Sequence, residues 1–142
     1  MNVAIVALTA AAGALCGWDV LAAQETNTSV WDGVYSEEQA ARGKADYLRA
    51  CASCHRESLG GDNYAPPLAG SGFVAQWSDQ SLGDLLSKIR TTMPLDSPGS
   101  LSMQENVDIV AYLLQANRFP PAMEELKNRP EILKGIVIKA TK

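Results

Sequence analysis

Apolar residues recur at helical spacing in three separate stretches of this chain, and each stretch opens on a side chain able to cap a helix. The first begins at Ser36, with Gln39 placed to complete a capping box, and Ala40, Gly43, Tyr47 and Cys51 follow about four residues apart on one face. This predicts a helix from about Glu37 to Ala52. The second opens at Ser81 with Asp84 and sets Leu82, Leu85, Leu86 and Ile89 at i, i+3, i+4 and i+7. The third opens at Ser102 with Glu105, carries Val107, Val110, Ala111 and Leu114 as its apolar stripe, and runs to about Gln115 before Asn117 and Pro120 stop it. Gly43 costs a helix interior about 1 kcal/mol against alanine. Its presence therefore predicts that another backbone comes close, with Tyr112 as the expected partner for the gap.

The connections have a different texture. Residues 56–70 are rich in Gly, Asn and Pro, and the run Ala65-Pro66-Pro67-Leu68-Ala69-Gly70 is stiff, because each proline fixes φ and biases the residue before it toward extended geometry. Thr91 to Gly99, which includes Met93-Pro94, makes a second stiff loop. Ahead of the first helix, residues 24–35 are polar with isolated Val30, Trp31 and Val34, and read as an irregular segment in which Trp31 packs against the domain. Beyond the third, residues 120–142 hold a short helical stretch and the β-leaning run Ile136-Val137-Ile138, expected to dock onto the domain. The expectation is an all-α domain over residues 36–119 with three main helices, flanked by these two segments.

Length and charge narrow the picture. The chain has 142 residues, room for one domain and a leader. Residues 2–17 are almost wholly small or apolar and too short to cross a bilayer comfortably, and Leu21-Ala22-Ala23 offers small residues for cleavage. Residues 1–23 are read as a signal peptide and the mature protein as periplasmic; a retained membrane anchor is the other reading, since no Lys or Arg precedes the apolar run. The net charge is −4, and Asp19 is the one charged side chain in the leader. No basic stripe exists to release counterions, so nucleic acid is not an expected partner.

The chemistry concentrates in Cys51-Ala52-Ser53-Cys54-His55, which contains the only histidine of the chain and two of its three cysteines. Two thiols separated by two residues fit one helical turn. Each can add across a different vinyl group of one porphyrin, and the histidine that follows is carried to the iron. Structural zinc calls for four ligands and no second pair of donors exists. A thioredoxin-like dithiol calls for a preceding strand that the pattern lacks, and a disulfide would close a tight two-residue loop. The reading is one covalent haem c held by Cys51 and Cys54, with His55 on iron.

The opposite iron position then needs a soft donor. Met1 leaves with the leader, Met103 falls at the start of the third helix, and Met123 follows a double proline. Met93, in a loop between two helices, is the expected second ligand, an ordinary core methionine being the other reading. A rigid carbonyl in the proline loop can take the free imidazole N–H. Trp77 can either donate its indole N–H to a haem propionate or fill core.

With these residues in place, the stretch from Ser36 to Asn117 resembles the class I mono-haem cytochromes c. The attachment motif is followed by Pro66-x-Leu68-x-Gly70, similar to that family's Pro-x-Leu-x-Gly loop. The resemblance implies three main helices with loops wrapped around one haem, a Pro66 carbonyl that orients His55, Met93 as the distal ligand, and Gly43 and Tyr47 crossing Tyr112. The Thr91-Thr92-Met93-Pro94 and Pro98-Gly99-Ser100-Leu101 runs are similar to small cytochromes that serve quinoprotein dehydrogenases. The expected role is that of a periplasmic electron carrier with no catalysis of its own, between a dehydrogenase donor and an oxidase or another cytochrome as acceptor. A haem-bearing subunit of an oxidoreductase complex and a haem-based gas binder are the alternatives; a membrane is expected only if the leader stays on.

Overall fold

The computed structural model describes residues 28–142. The leader, its cleavage site and residues 24–27 lie outside the described residues. The protein is mostly helical, with α1 Glu37–Ala50, α2 Ala52–His55, α3 Ser71–Trp77, α4 Leu82–Thr92, α5 Met103–Ala116 and α6 Pro130–Lys134. Its two short strands are β1, Thr28–Ser29, and β2, Ile136–Val137. The three helices expected from the apolar pattern are the long ones, in the arrangement of a class I cytochrome c fold. Among the described residues, no helix is long and apolar enough to cross a membrane.

The α1–α5 pair is the most extensive contact between elements. It depends on Gly43, where a Cβ would overlap the carbonyl oxygen of Asp108 and lie 2.9 Å from the amide nitrogen of Ile109. The gap at Gly43 is therefore filled by the backbone of α5 and not by Tyr112, as expected from the sequence. Tyr112 lies one turn further on and packs at a tilt against Tyr47, with ring centroids 5.4 Å apart. Val107, Ile109, Val110, Ala111, Leu113 and Leu114 of α5 are all buried, joined in the core by Leu82, Leu85 and Leu86 of α4.

Two details of α1 depart from expectation. The helix breaks at Cys51, whose φ of −124° ends it, and α2 restarts at Ala52 and carries Cys54 and His55. The capping box at its start is only half made. Ser36 Oγ accepts the Gln39 N–H, but the Gln39 side chain turns into the core. There Gln39 Nε2 donates to Asp108 Oδ1 at 3.1 Å and to the Leu126 carbonyl at 3.2 Å, while its Oε1 accepts the Leu126 N–H at 2.7 Å. A buried amide with three long-range partners satisfies more polar groups than a local cap would.

The flanking segments are structured. Residues 30–32 form a 3-10 turn with a complete capping box between Ser29 and Asp32, and β1 pairs in parallel with β2, Thr28 opposite Ile136 and Ser29 opposite Val137. Trp31 packs edge-on against Phe119 at 4.9 Å and donates its indole N–H to the Lys139 carbonyl. The tail thus runs past Tyr35, whose hydroxyl donates to the Phe119 carbonyl, then past Gln39, and ends against the turn before α4 through the Asp79 and Ile138 backbones.

Candidate haem site

The short helix α2 sets the site. Cys51 N–H donates to the Tyr47 carbonyl and His55 N–H to the Cys51 carbonyl, so the two thiols and the imidazole occupy one turn at the end of α1. Both thiols are unpaired; Cys51 is half-buried and Cys54 exposed. Burial pushes the Cys51 thiol up to about 11, opposite to the thiolate stabilisation that a dithiol redox centre needs. Among the described residues, no three or more His, Cys, Asp or Glu side chains are grouped so that they could hold a metal ion.

His55 is 8% exposed, and its Nδ1 lies 2.9 Å from the Pro66 carbonyl oxygen. A carbonyl can only accept, so Nδ1 carries the proton and Nε2 is the nitrogen with a free lone pair. The loop that brings Pro66 there is tightly specified. Gly61, at φ +65°, packs so closely that a Cβ would overlap the Ala65 carbonyl oxygen and lie 2.6 Å from the Pro66 carbonyl carbon. Asp62 accepts from the Tyr64 and Ala65 amides through Oδ1, and these bonds, with Arg56 beside it, hold its carboxyl below the usual range.

Directly after His55 the chain pays a local conformational cost: Arg56 has φ 67° and ψ 153°, a region that side chains other than glycine rarely adopt. Its carbonyl receives the Tyr47 hydroxyl at 2.6 Å and its N–H reaches the Ala52 carbonyl, which together hold the turn.

Met93 caps the C-terminus of α4 in an extended conformation, partly buried, with its N–H on the Ile89 carbonyl. Of the other methionines within the described residues, Met123 is 98% exposed and Met103 packs against the core at the start of α5. Trp77 ends α3, half-buried, 6.4 Å from the Phe73 ring and packed against the core. Thus Cys51, Cys54, His55 and Pro66 are brought together, whereas Met93 and Trp77 stand on other elements.

The residues present fit a covalent haem c. Two unpaired thiols on one turn, an imidazole with one nitrogen engaged and the other open, and a partly buried thioether make a donor set suited to it. Leu68, Trp77, Ile89 and Leu101 pack against the core and stay partly uncovered.

Residues that the pattern did not single out also shape the site. Gly61, Asp62 and Asn117 hold the Pro66 loop, but their partners are distant in sequence or set by loop geometry, so only the Gly-Asp turn signal at 61–62 was available.

Comparison with known proteins agrees with this construction. No curated protein matches the chain. The crystal structure of the sulfane dehydrogenase SoxCD from Paracoccus pantotrophus is similar in fold, at 22% sequence identity and a TM-score of 0.50, over 93% of this chain and 68% of that one. Residues 38–113, more than half of the chain, match the family described as cytochrome c oxidase, cbb3-type, subunit III. That span runs from the start of α1 through the attachment turn and the proline loop to Leu113 of α5. A mono-haem c-type cytochrome by fold and motif, the chain belongs to that family.

Proposed function

We propose that this protein is an exported one-electron carrier. Cys51 and Cys54 would hold one haem c through thioethers, and His55 Nε2 and the Met93 sulfur would be the ligands to its iron. Haem c supplies an iron that cycles between ferric and ferrous states. The protein's part is to hold both ligands in place, so that little moves between the two states. The observation that carries the reading is the His55 Nδ1 contact to Pro66 at 2.9 Å, which leaves Nε2 open beside two unpaired thiols. Trp77 is assigned to the core, since its ring packs on Phe73.

The donor is read as a dehydrogenase, of the quinoprotein kind that the Met93 loop resembles, and the acceptor as an oxidase or another cytochrome. A second reading, that the chain is a bound subunit, is favoured by the family's description as an oxidase subunit. Native size separates the two: a carrier migrates as a single small protein, a subunit with its complex.

Met93→Ala tests the ligand assignment. The substitution is expected to leave haem attached, lower the reduction potential, because the thioether favours ferrous iron, and admit added imidazole or carbon monoxide. An unchanged spectrum and potential would place the second ligand elsewhere.

A further inference from the structure

We propose that Asn117 is a positioning residue for the His55 imidazole, acting through the loop that carries Pro66. This rests on the reading of His55 as an iron ligand. Asn117 stands at the C-terminal cap of α5, half-buried, and its one amide makes three hydrogen bonds. Nδ2 donates to the Leu68 carbonyl at 3.0 Å and to the Leu113 carbonyl at 2.9 Å, while Oδ1 accepts the Gly70 N–H at 3.0 Å. The Asn117 backbone N–H already caps α5 by reaching the Leu113 carbonyl at 3.1 Å, so capping does not need the side-chain amide. Two of the side-chain bonds grip the proline loop, at Leu68 and Gly70.

The loop has reason to need that grip. Pro66 and Pro67 bring no N–H of their own and both are exposed, so neither backbone bonding by donation nor burial fixes the Pro66 carbonyl. On the near side, the Leu68 N–H reaches the Leu59 carbonyl at 2.8 Å and the Gly61 N–H reaches the His55 carbonyl at 3.0 Å. These tie the loop to the attachment turn and to the buried Leu59, but neither reaches α5. Asn117 adds the hydrogen-bonded tie to α5, whose Leu113 is buried in the core, and so fixes the far side of the loop. Leu68, gripped through both its N–H and its carbonyl, follows Pro66 by only two residues, so the Pro66 carbonyl cannot shift far while both bonds hold.

The chemical consequence follows from the imidazole. A close carbonyl on Nδ1–H draws the proton and raises the basicity of Nε2, which favours ferric iron. A loosened carbonyl does the reverse and raises the potential.

The test uses the holoprotein and three variants: Asn117→Ala; Asn117→Asp, which keeps an acceptor for Gly70 but no donor for Leu68; and Tyr35→Phe. The last removes the 2.7 Å bond from the Tyr35 hydroxyl to the Phe119 carbonyl near the same end of α5, away from the loop. Hydrogen exchange of the His55 Nδ1–H, followed by NMR, is expected to quicken about fivefold or more in Asn117→Ala, the effect of losing about one net hydrogen bond. The reduction potential should rise in parallel. Asn117→Asp, which sets a carboxylate against the Leu68 carbonyl, should quicken the exchange as well, and carries the test alone through exchange if the alanine variant does not fold. Its potential is not compared, because the added negative charge lowers it independently. Tyr35→Phe should lower the thermal midpoint and move neither. Wild-type exchange in the Asn117 variants, a wild-type potential in Asn117→Ala, or a shift as large in Tyr35→Phe, would overturn the assignment while leaving the haem reading intact. A wild-type protein with no covalent haem would overturn both, and is read directly from its spectrum.

Discussion

A single missing methyl group sets how closely α1 and α5 approach. Gly43→Ala would force its Cβ into the Asp108 carbonyl, a backbone atom that cannot swing aside, so the two helices must separate. The expected cost is about 3 kcal/mol or more, read as a lowered denaturation midpoint; an alanine variant as stable as the parent would contradict the crossing. The importance of Gly43 was visible in the sequence because glycine inside a helix needs a reason. What fills the gap was not, since a glycine announces close approach without saying whether backbone or ring arrives. Gln39 teaches the converse: its place three residues after Ser36 spoke for a local cap, but the buried Asp108 and the Leu126 backbone, both far along the chain, claimed its amide. At the attachment turn, Cys51, Cys54 and His55 could be singled out because their spacing is itself the chemistry, whereas Asn117 looked like nothing more than a helix stop.

At the scale of elements, α4 and α5 both begin with reciprocal capping boxes, Ser81 with Asp84 and Ser102 with Glu105. Hydrogen bonds from the Ser81 side chain and backbone hold the Asp84 carboxyl below its ordinary 3.8, and those from Ser102 hold Glu105 below its ordinary 4.5, with Arg49 adding to the latter. Because the folded values are the depressed ones, the stabilisation is complete above the ordinary values and is lost as pH falls through the lowered ones. Thermal midpoints should therefore fall with acidification below pH 4.5, less steeply in Glu105→Gln, and Ser102→Ala should cost about 1 kcal/mol at neutral pH. An equal acid slope in Glu105→Gln would contradict the role given to this cap. These long helices were legible because cap, periodicity and stop signal are all local. The seven-residue α3 and the five-residue α6 lack a side-chain cap; α3 was not expected and α6 only as a short helical stretch without bounds, and both pack on the core through Phe73 and Leu133.

Taken whole, the molecule is a helical domain belted by its own tail. Leu126, Leu133, Ile136 and Ile138 are buried, and β2 ties the C-terminal segment to β1. Burying each such side chain is worth about 1.5–3 kcal/mol, so together they are comparable with the roughly 5–15 kcal/mol by which a domain is stable. Deleting residues 120–142 is accordingly expected to abolish cooperative thermal unfolding by circular dichroism; a truncated chain that melts cooperatively near the parent midpoint would contradict this. The sequence offered a short helical stretch and a β-leaning run for the tail but not where they dock, because their partners at Thr28, Gln39 and Gln80 are set by the closed fold. The central claim concerns the other end of α1, and intact mass after iodoacetamide treatment under denaturing, reducing conditions tests it most directly. Protein from cells able to mature c-type cytochromes should carry the mass of one haem with Cys51 and Cys54 resistant to alkylation. A chain at its bare polypeptide mass, with both thiols alkylated, would contradict it.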